Sequence, residues 1–124
     1  MKKILIIEDD ITLSLTLGDN LSHEGFEIVR AKDGEEGLAA ALSSKPDLIL
    51  LDILLPKMDG LTLLNKLRED GWGKYVPVII LSNLSASTNV SSALSNDVHQ
   101  YLVKIDWKIE DVIKKVREEL GMEK

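Results

Sequence analysis

Four apolar runs in this chain each end in a polar residue. Ile4-Leu5-Ile6-Ile7 leads into Glu8 and Asp9, and Leu48-Ile49-Leu50-Leu51 into Asp52. Val78-Ile79-Ile80-Leu81 leads into Ser82, and Tyr101-Leu102-Val103 into Lys104. Short continuous runs rich in β-branched residues are the pattern of strands covered on both faces, and such strands belong to parallel sheets. The pattern predicts strands at 4–7, 27–31, 48–51, 78–82 and 100–103, separated by segments long enough for helices. Alternation of this kind implies right-handed βαβ units and a doubly wound α/β sheet. All C-terminal strand ends then lie on one edge, where open α/β sheets bind ligands. Three carboxylates, a hydroxyl and an amine are expected to meet there.

The helical segments differ in clarity. Ile109, Val112, Ile113, Val116 and Leu120 form one apolar stripe near the end of the chain, with Asp106 as a candidate cap. A helix starting after Asp33 has Glu36 three residues on, close to a capping box, and ends before Lys45-Pro46. Another follows Asp59-Gly60 and turns Leu63, Leu64 and Leu67 inward. Residues 11–17 alternate apolar and polar, which is a strand pattern. A helix is nevertheless expected, because two parallel strands need a crossover and Leu13, Leu17 and Leu21 give an i, i+4 stripe. In the Ser- and Asn-rich stretch from Ser85 to Asn96, any helix is expected to be marginal and mobile.

Composition narrows the class. One domain is expected for 124 residues, with 44% hydrophobic and 29% charged residues. The net charge of -6, from 15 Lys and Arg against 21 Asp and Glu, argues against a nucleic-acid or anionic-membrane surface as main partner. There is no cysteine, hence no disulfide framework and no thiolate metal site. No apolar run approaches membrane-spanning length, and the first strand begins too early to leave room for a signal peptide. A cytoplasmic protein is the expectation.

Glu8, Asp9 and Asp52 offer only oxygen ligands, which suit Mg²⁺, or alternatively Mn²⁺, with several waters retained. Adjacent acids after a strand also occur simply because carboxylates favour a helix N-terminus. A third acid on the same edge shifts the balance toward a cation site. Asp52 is in addition a candidate nucleophile, since a carboxylate beside such a cation can attack phosphorus. Lys104 is placed to pair with a phosphoryl oxygen, and Ser82 to donate a hydrogen bond to another. Each residue alone has a plainer reading as a strand-end surface group; the joint pattern makes the case. His23 and His99 read as surface positions, and Trp72 and Trp107 as covers at core edges.

The whole chain resembles the receiver domain of bacterial two-component response regulators, in the single-domain, chemotaxis-regulator form. The matching motifs are Lys3 to Asp10, Asp47 to Asp52 with Pro56-Lys57-Met58-Asp59-Gly60, Pro77 to Ser82, and Tyr101 to Lys104. The resemblance implies a flavodoxin-like, five-stranded sheet in order 2-1-3-4-5 with five helices. It implies that Asp52 accepts a phosphoryl group from a sensor histidine kinase or phosphotransfer protein. Glu8, Asp9, Asp52 and the backbone carbonyl of Leu54 would hold Mg²⁺. Lys104 and Ser82 would assist, and Ser82 with Tyr101 would switch a face made by the fourth helix, fifth strand and fifth helix. A downstream protein would read that face, and dimerisation on activation stays open. The chain would be a signalling switch rather than an enzyme acting on other substrates.

Three departures fall in the switching region: Ile105 instead of proline after Lys104, Asn83 after the switch hydroxyl, and Asn96-Asp97-Val98-His99-Gln100 before Tyr101. A trans peptide bond is expected at Lys104-Ile105. Leu54 and Leu84 stand at the positions that flank the hydrolytic water in the family, which predicts slow self-dephosphorylation. No output domain follows residue 124, so the expectation is either a stand-alone receiver or one cut from a longer protein. Competing readings fit less well. A haloacid-dehalogenase-type phosphatase wants an Asp where Leu54 stands, and a dinucleotide-binding domain wants a glycine fingerprint after the first strand. A receiver-like adaptor that is never phosphorylated is the remaining alternative.

Overall fold

A computed structural model describes residues 2–52, 55–82, 100–103 and 108–121, with backbone only at 61, 82 and 100–103. Five parallel strands form one sheet in the order β2-β1-β3-β4-β5. They are β1 (Lys3–Ile7), β2 (Glu27–Ala31), β3 (Leu48–Asp52), β4 (Val78–Ser82) and β5 (Gln100–Val103). Four helices are present among the described residues: α1 (Ile11–His23), α2 (Gly34–Ser44), α3 (Gly60–Glu69) and α4 (Ile109–Glu119). The helix expected over Ser85 to Asn96 lies outside the described residues, as does the Lys104-Ile105 bond.

The continuous apolar runs are explained by two cores, one on each face of the sheet. Leu5, Ile7, Ile49, Leu51, Val78 and Ile80 point to one face and pack with Ala41 of α2 and Leu63, Leu64 and Leu67 of α3. Ile4, Ile6, Leu48, Leu50, Ile79 and Leu81 point to the other and pack with Leu17 and Leu21 of α1 and Val112 and Val116 of α4. Alternate residues serve opposite cores, so no position from Ile4 to Ile7 or from Leu48 to Leu51 is free to be polar.

α1 is a helix despite its strand-like alternation. Asp10 caps it, its carboxylate accepting from the Leu13 N–H at 3.2 Å. Its buried face is Ser14, Leu17, Gly18 and Leu21, while Ile11 and Leu15 are 69% and 48% exposed. The alternation was thus misleading because two of its apolar members face outward. α2 begins as the sequence predicts, with the Asp33 carboxylate accepting from the Glu36 N–H at 2.8 Å. Its end at Lys45, in the left-handed region at φ 47, precedes Pro46. α3 is capped by Asp59, which accepts from the Thr62 N–H at 2.8 Å. α4 starts later than a cap at Asp106 would allow: its N-cap is Lys108, whose N–H donates to Asp111 at 2.9 Å. Asp106 lies outside the described residues. Among the described residues, no helix is long and apolar enough to cross a membrane.

Candidate functional site

The site is built by strand ends. β1 and β3 are neighbours in register, with Ile7 beside Leu51, so the residues that follow them emerge together. Glu8 comes one residue past β1, and its N–H still donates to the Ala31 carbonyl of β2 at 3.0 Å. Asp52 is the last residue of β3 and sits in register with Leu81 of β4. Carboxylate oxygens of Glu8, Asp9 and Asp52 lie within 4.8 Å of one another. Glu8 and Asp52 are only 2% and 3% exposed, whereas Asp9 is exposed. Two acids therefore stand on a dry floor, and the third faces water.

That arrangement suits a hard divalent cation. All donors are oxygens, the exposed side leaves room for retained waters, and like charges this close need a counter-charge. The three neighbouring acids of the Glu8-Asp9-Asp10 run divide their roles. Asp10 serves the helix, capping α1 and donating its own N–H to the Glu8 carboxylate at 3.2 Å. Glu8 and Asp9 join Asp52. The helix-start reading of the acid run is thus realised by Asp10, while Glu8 and Asp9 belong to the acidic cluster with Asp52.

Ser82 ends β4 beside Val103, the last residue of β5, and Tyr101 sits in register with Ile80. The backbone therefore brings Ser82 to the same edge as Asp52. Leu54 and Lys104, expected to supply a carbonyl and a charged amine, lie outside the described residues, as do Asn83, Leu84, His99 and Trp107. His23 is exposed at the end of α1, its ring within 2.8 Å of the Asp19 carbonyl, and takes no part. Trp72 packs against the α2–α3 core.

Two features beside the site have no signal in the sequence. The loop that leaves β3 is fastened to the start of α2: the Gly34 N–H donates to Pro56 at 3.3 Å, and Lys57 pairs with Asp33 at 3.9 Å. A side chain at Gly34 would place its Cβ 1.8 Å from the Met58 carbonyl oxygen, so only glycine permits this approach. On the other flank, Arg30 of β2 lies across α1 at Gly18. Both depend on contacts between segments distant along the chain, which no local pattern reports.

Comparison with known proteins agrees with this geometry. The family model for the response regulator receiver domain matches residues 4–117. The DNA-binding dual master transcriptional regulator RpaA of Synechocystis is 36% identical over 94% of this chain and 48% of its own length. The alkaline phosphatase synthesis transcriptional regulatory protein PhoP of Bacillus subtilis is 44% identical over 83% of this chain and 42% of its own. The chain thus spans about half the length of these curated relatives. Among solved structures, a CheY-like receiver domain protein from Methanospirillum hungatei superposes with a TM-score of 0.90 at 30% identity, covering 98% of this chain and 94% of that one. The Francisella response regulator 1452 receiver domain gives 0.89 at 29% identity, covering 98% of each. With strand order, acid cluster and family match in agreement, this chain belongs to the response regulator receiver domain family.

Proposed function

We propose that Asp52 is a phosphoacceptor that takes a phosphoryl group from a phosphohistidine on a sensor kinase or phosphotransfer protein. The observation that carries this reading is the meeting of Glu8, Asp9 and Asp52 within 4.8 Å at the C-terminal edge of a receiver-family sheet. An Asp52 carboxylate oxygen attacks phosphorus in line; the new O–P bond forms as the donor's N–P bond breaks, and the electron pair returns to the imidazole. Mg²⁺, or Mn²⁺, bound by Glu8, Asp9, Asp52 and the Leu54 carbonyl would neutralise charge on the phosphoryl oxygens. Burial of Asp52 at the end of a rigid central strand holds the nucleophile in one orientation, which is a large part of catalysis in such transfers.

Lys104 pairs with one phosphoryl oxygen and Ser82 donates to another, and Tyr101 follows Ser82 in shifting the face read by a downstream protein. Phosphorylation stabilises a conformation that already exists as a minor one. The chain catalyses only its own phosphotransfer and dephosphorylation, acts in the cytoplasm, and contacts neither nucleic acid nor membrane directly. Incubation of the protein with acetyl phosphate and Mg²⁺, followed by intact-mass measurement, tests this. One added phosphoryl group, absent in Asp52→Asn, is expected; no addition to wild type would favour the unphosphorylated adaptor.

A further inference from the structure

Next to the acid cluster lies a cleft of about 230 Å³ between α1 and the end of β2, lined by Glu8, Ser14, Arg30 and Lys32 among others. Glu8 and Arg30 point to the same face of the sheet. Ile6 is the register partner of Arg30, and Glu8 lies two residues beyond Ile6 on a ladder that continues through its bond to Ala31. With neighbouring strands about 4.8 Å apart and a rise of about 3.3 Å per residue, positions offset by two residues lie about 8 Å apart, within reach of a long side chain. In this structure the guanidinium is drawn the other way. Its Nε donates to the Ser14 carbonyl at 3.4 Å, and Nη2 lies 3.8 Å from the Asp19 carboxylate. The slot it occupies exists because residue 18 is glycine: a Cβ there would fall 2.1 Å from Nη2.

We propose that Arg30 is a two-position counter-ion, parked on α1 by Asp19 and Gly18, whose swing toward Glu8 competes with the divalent cation and sets how tightly the acid cluster takes it. The inference rests on the proposed cation site and adds the residue that regulates it. Parked, Arg30 stays on α1 and does not compete with the metal. Swung inward, it supplies the counter-charge itself, as a fixed cation in a partly dry cleft where charges act more strongly than in water. Arg30 touches no reacting atom; it acts through Glu8.

The test is calorimetric titration of the full chain with Mg²⁺ alone, without phosphodonor, so that the readout is affinity. Arg30→Gln should tighten binding at low ionic strength by up to about twofold, since the parked form predominates, the gain shrinking as salt is raised. Asp19→Asn frees the arginine and should weaken binding by up to about twofold, as befits an exposed ion pair. Gly18→Ala evicts the guanidinium while favouring the helix, and should also weaken it. The double variant Asp19→Asn, Arg30→Gln should match Arg30→Gln, because the aspartate acts only by holding the arginine. Arg30→Gln indistinguishable from wild type, or Asp19→Asn weakening Mg²⁺ equally with and without Arg30, overturns the proposal. Absence of Mg²⁺ binding in every variant overturns the cation site beneath it, a separate and distinguishable result.

Discussion

β3 and β2 are both five-residue parallel strands, yet they could hardly differ more. Every residue of β3 is buried, including Asp52 at its end, whereas only Ala31 of β2 is buried and Glu27 and Arg30 are exposed. The difference is one of position: β3 lies at the centre of the sheet between two helical layers, and β2 at its edge. A central strand holds a charged group in one dry, fixed place, which suits a nucleophile. An edge strand can carry long polar side chains that move, which suits adjustment of the site. It also keeps Arg30 and Glu27 on an open edge, where charge discourages pairing with another chain.

The sharpest way to break this comparison is at Asp52. Asp52→Asn should abolish phosphorylation by acetyl phosphate altogether, whereas Arg30→Gln should still be phosphorylated; intact-mass time courses check both. Next comes packing. Leu50→Ala on β3 should cost about 2–5 kcal/mol, and Ile28→Ala, half-buried on β2, about 1 kcal/mol, by denaturant unfolding. Equal costs would mean that sheet position does not govern these strands. Cation binding should stabilise the fold by about 2.7 kcal/mol at one hundred times the dissociation constant. Asp52→Asn should raise the melting temperature of the metal-free protein by relieving repulsion with Glu8 and Asp9, and an unchanged wild-type melt at saturating Mg²⁺ would contradict the site.

Smaller effects lie beyond the strand ends. Asn at 54 and Gln at 84 should each speed loss of the phosphoryl group roughly tenfold, about 1.4 kcal/mol of barrier, by orienting the attacking water. Decay of phosphorylated protein after donor removal measures this, and equal rates would exclude those side chains. Finally, Asp33→Ala should cost about 1 kcal/mol through loss of the α2 cap, in thermal or denaturant unfolding. Because Asp33 also pairs with Lys57, it should loosen the loop that follows Asp52.

Much of the architecture was legible in the residues. Each predicted strand appears within one residue of its expected bounds, because a run such as Ile4 to Ile7 has no polar face and can only be a strand covered twice. Asp33 announced its helix because capping is a local event, set by one side chain and an amide three residues away. α1 was harder, since Ile11 and Leu15 mimic a buried alternation and only the need for a crossover pointed to a helix. The cap of α4 was misplaced because Lys108 is a weak signal and its partner Asp111 follows it.

Strand ends and their acids were therefore determined by the sequence itself: an apolar run ending in a carboxylate states both where the strand stops and what chemistry it presents. The tertiary structure decided how neighbouring acids divide their roles. Asp10 carries the same side chain as Asp9, but the turn into α1 commits it to a helix cap and leaves Glu8, Asp9 and Asp52 together. The parking of Arg30 beside Gly18, and the seating of Met58 on Gly34, likewise depend on how closely two backbones approach. That distance is set by the packing of layers against the sheet, so no single segment encodes it.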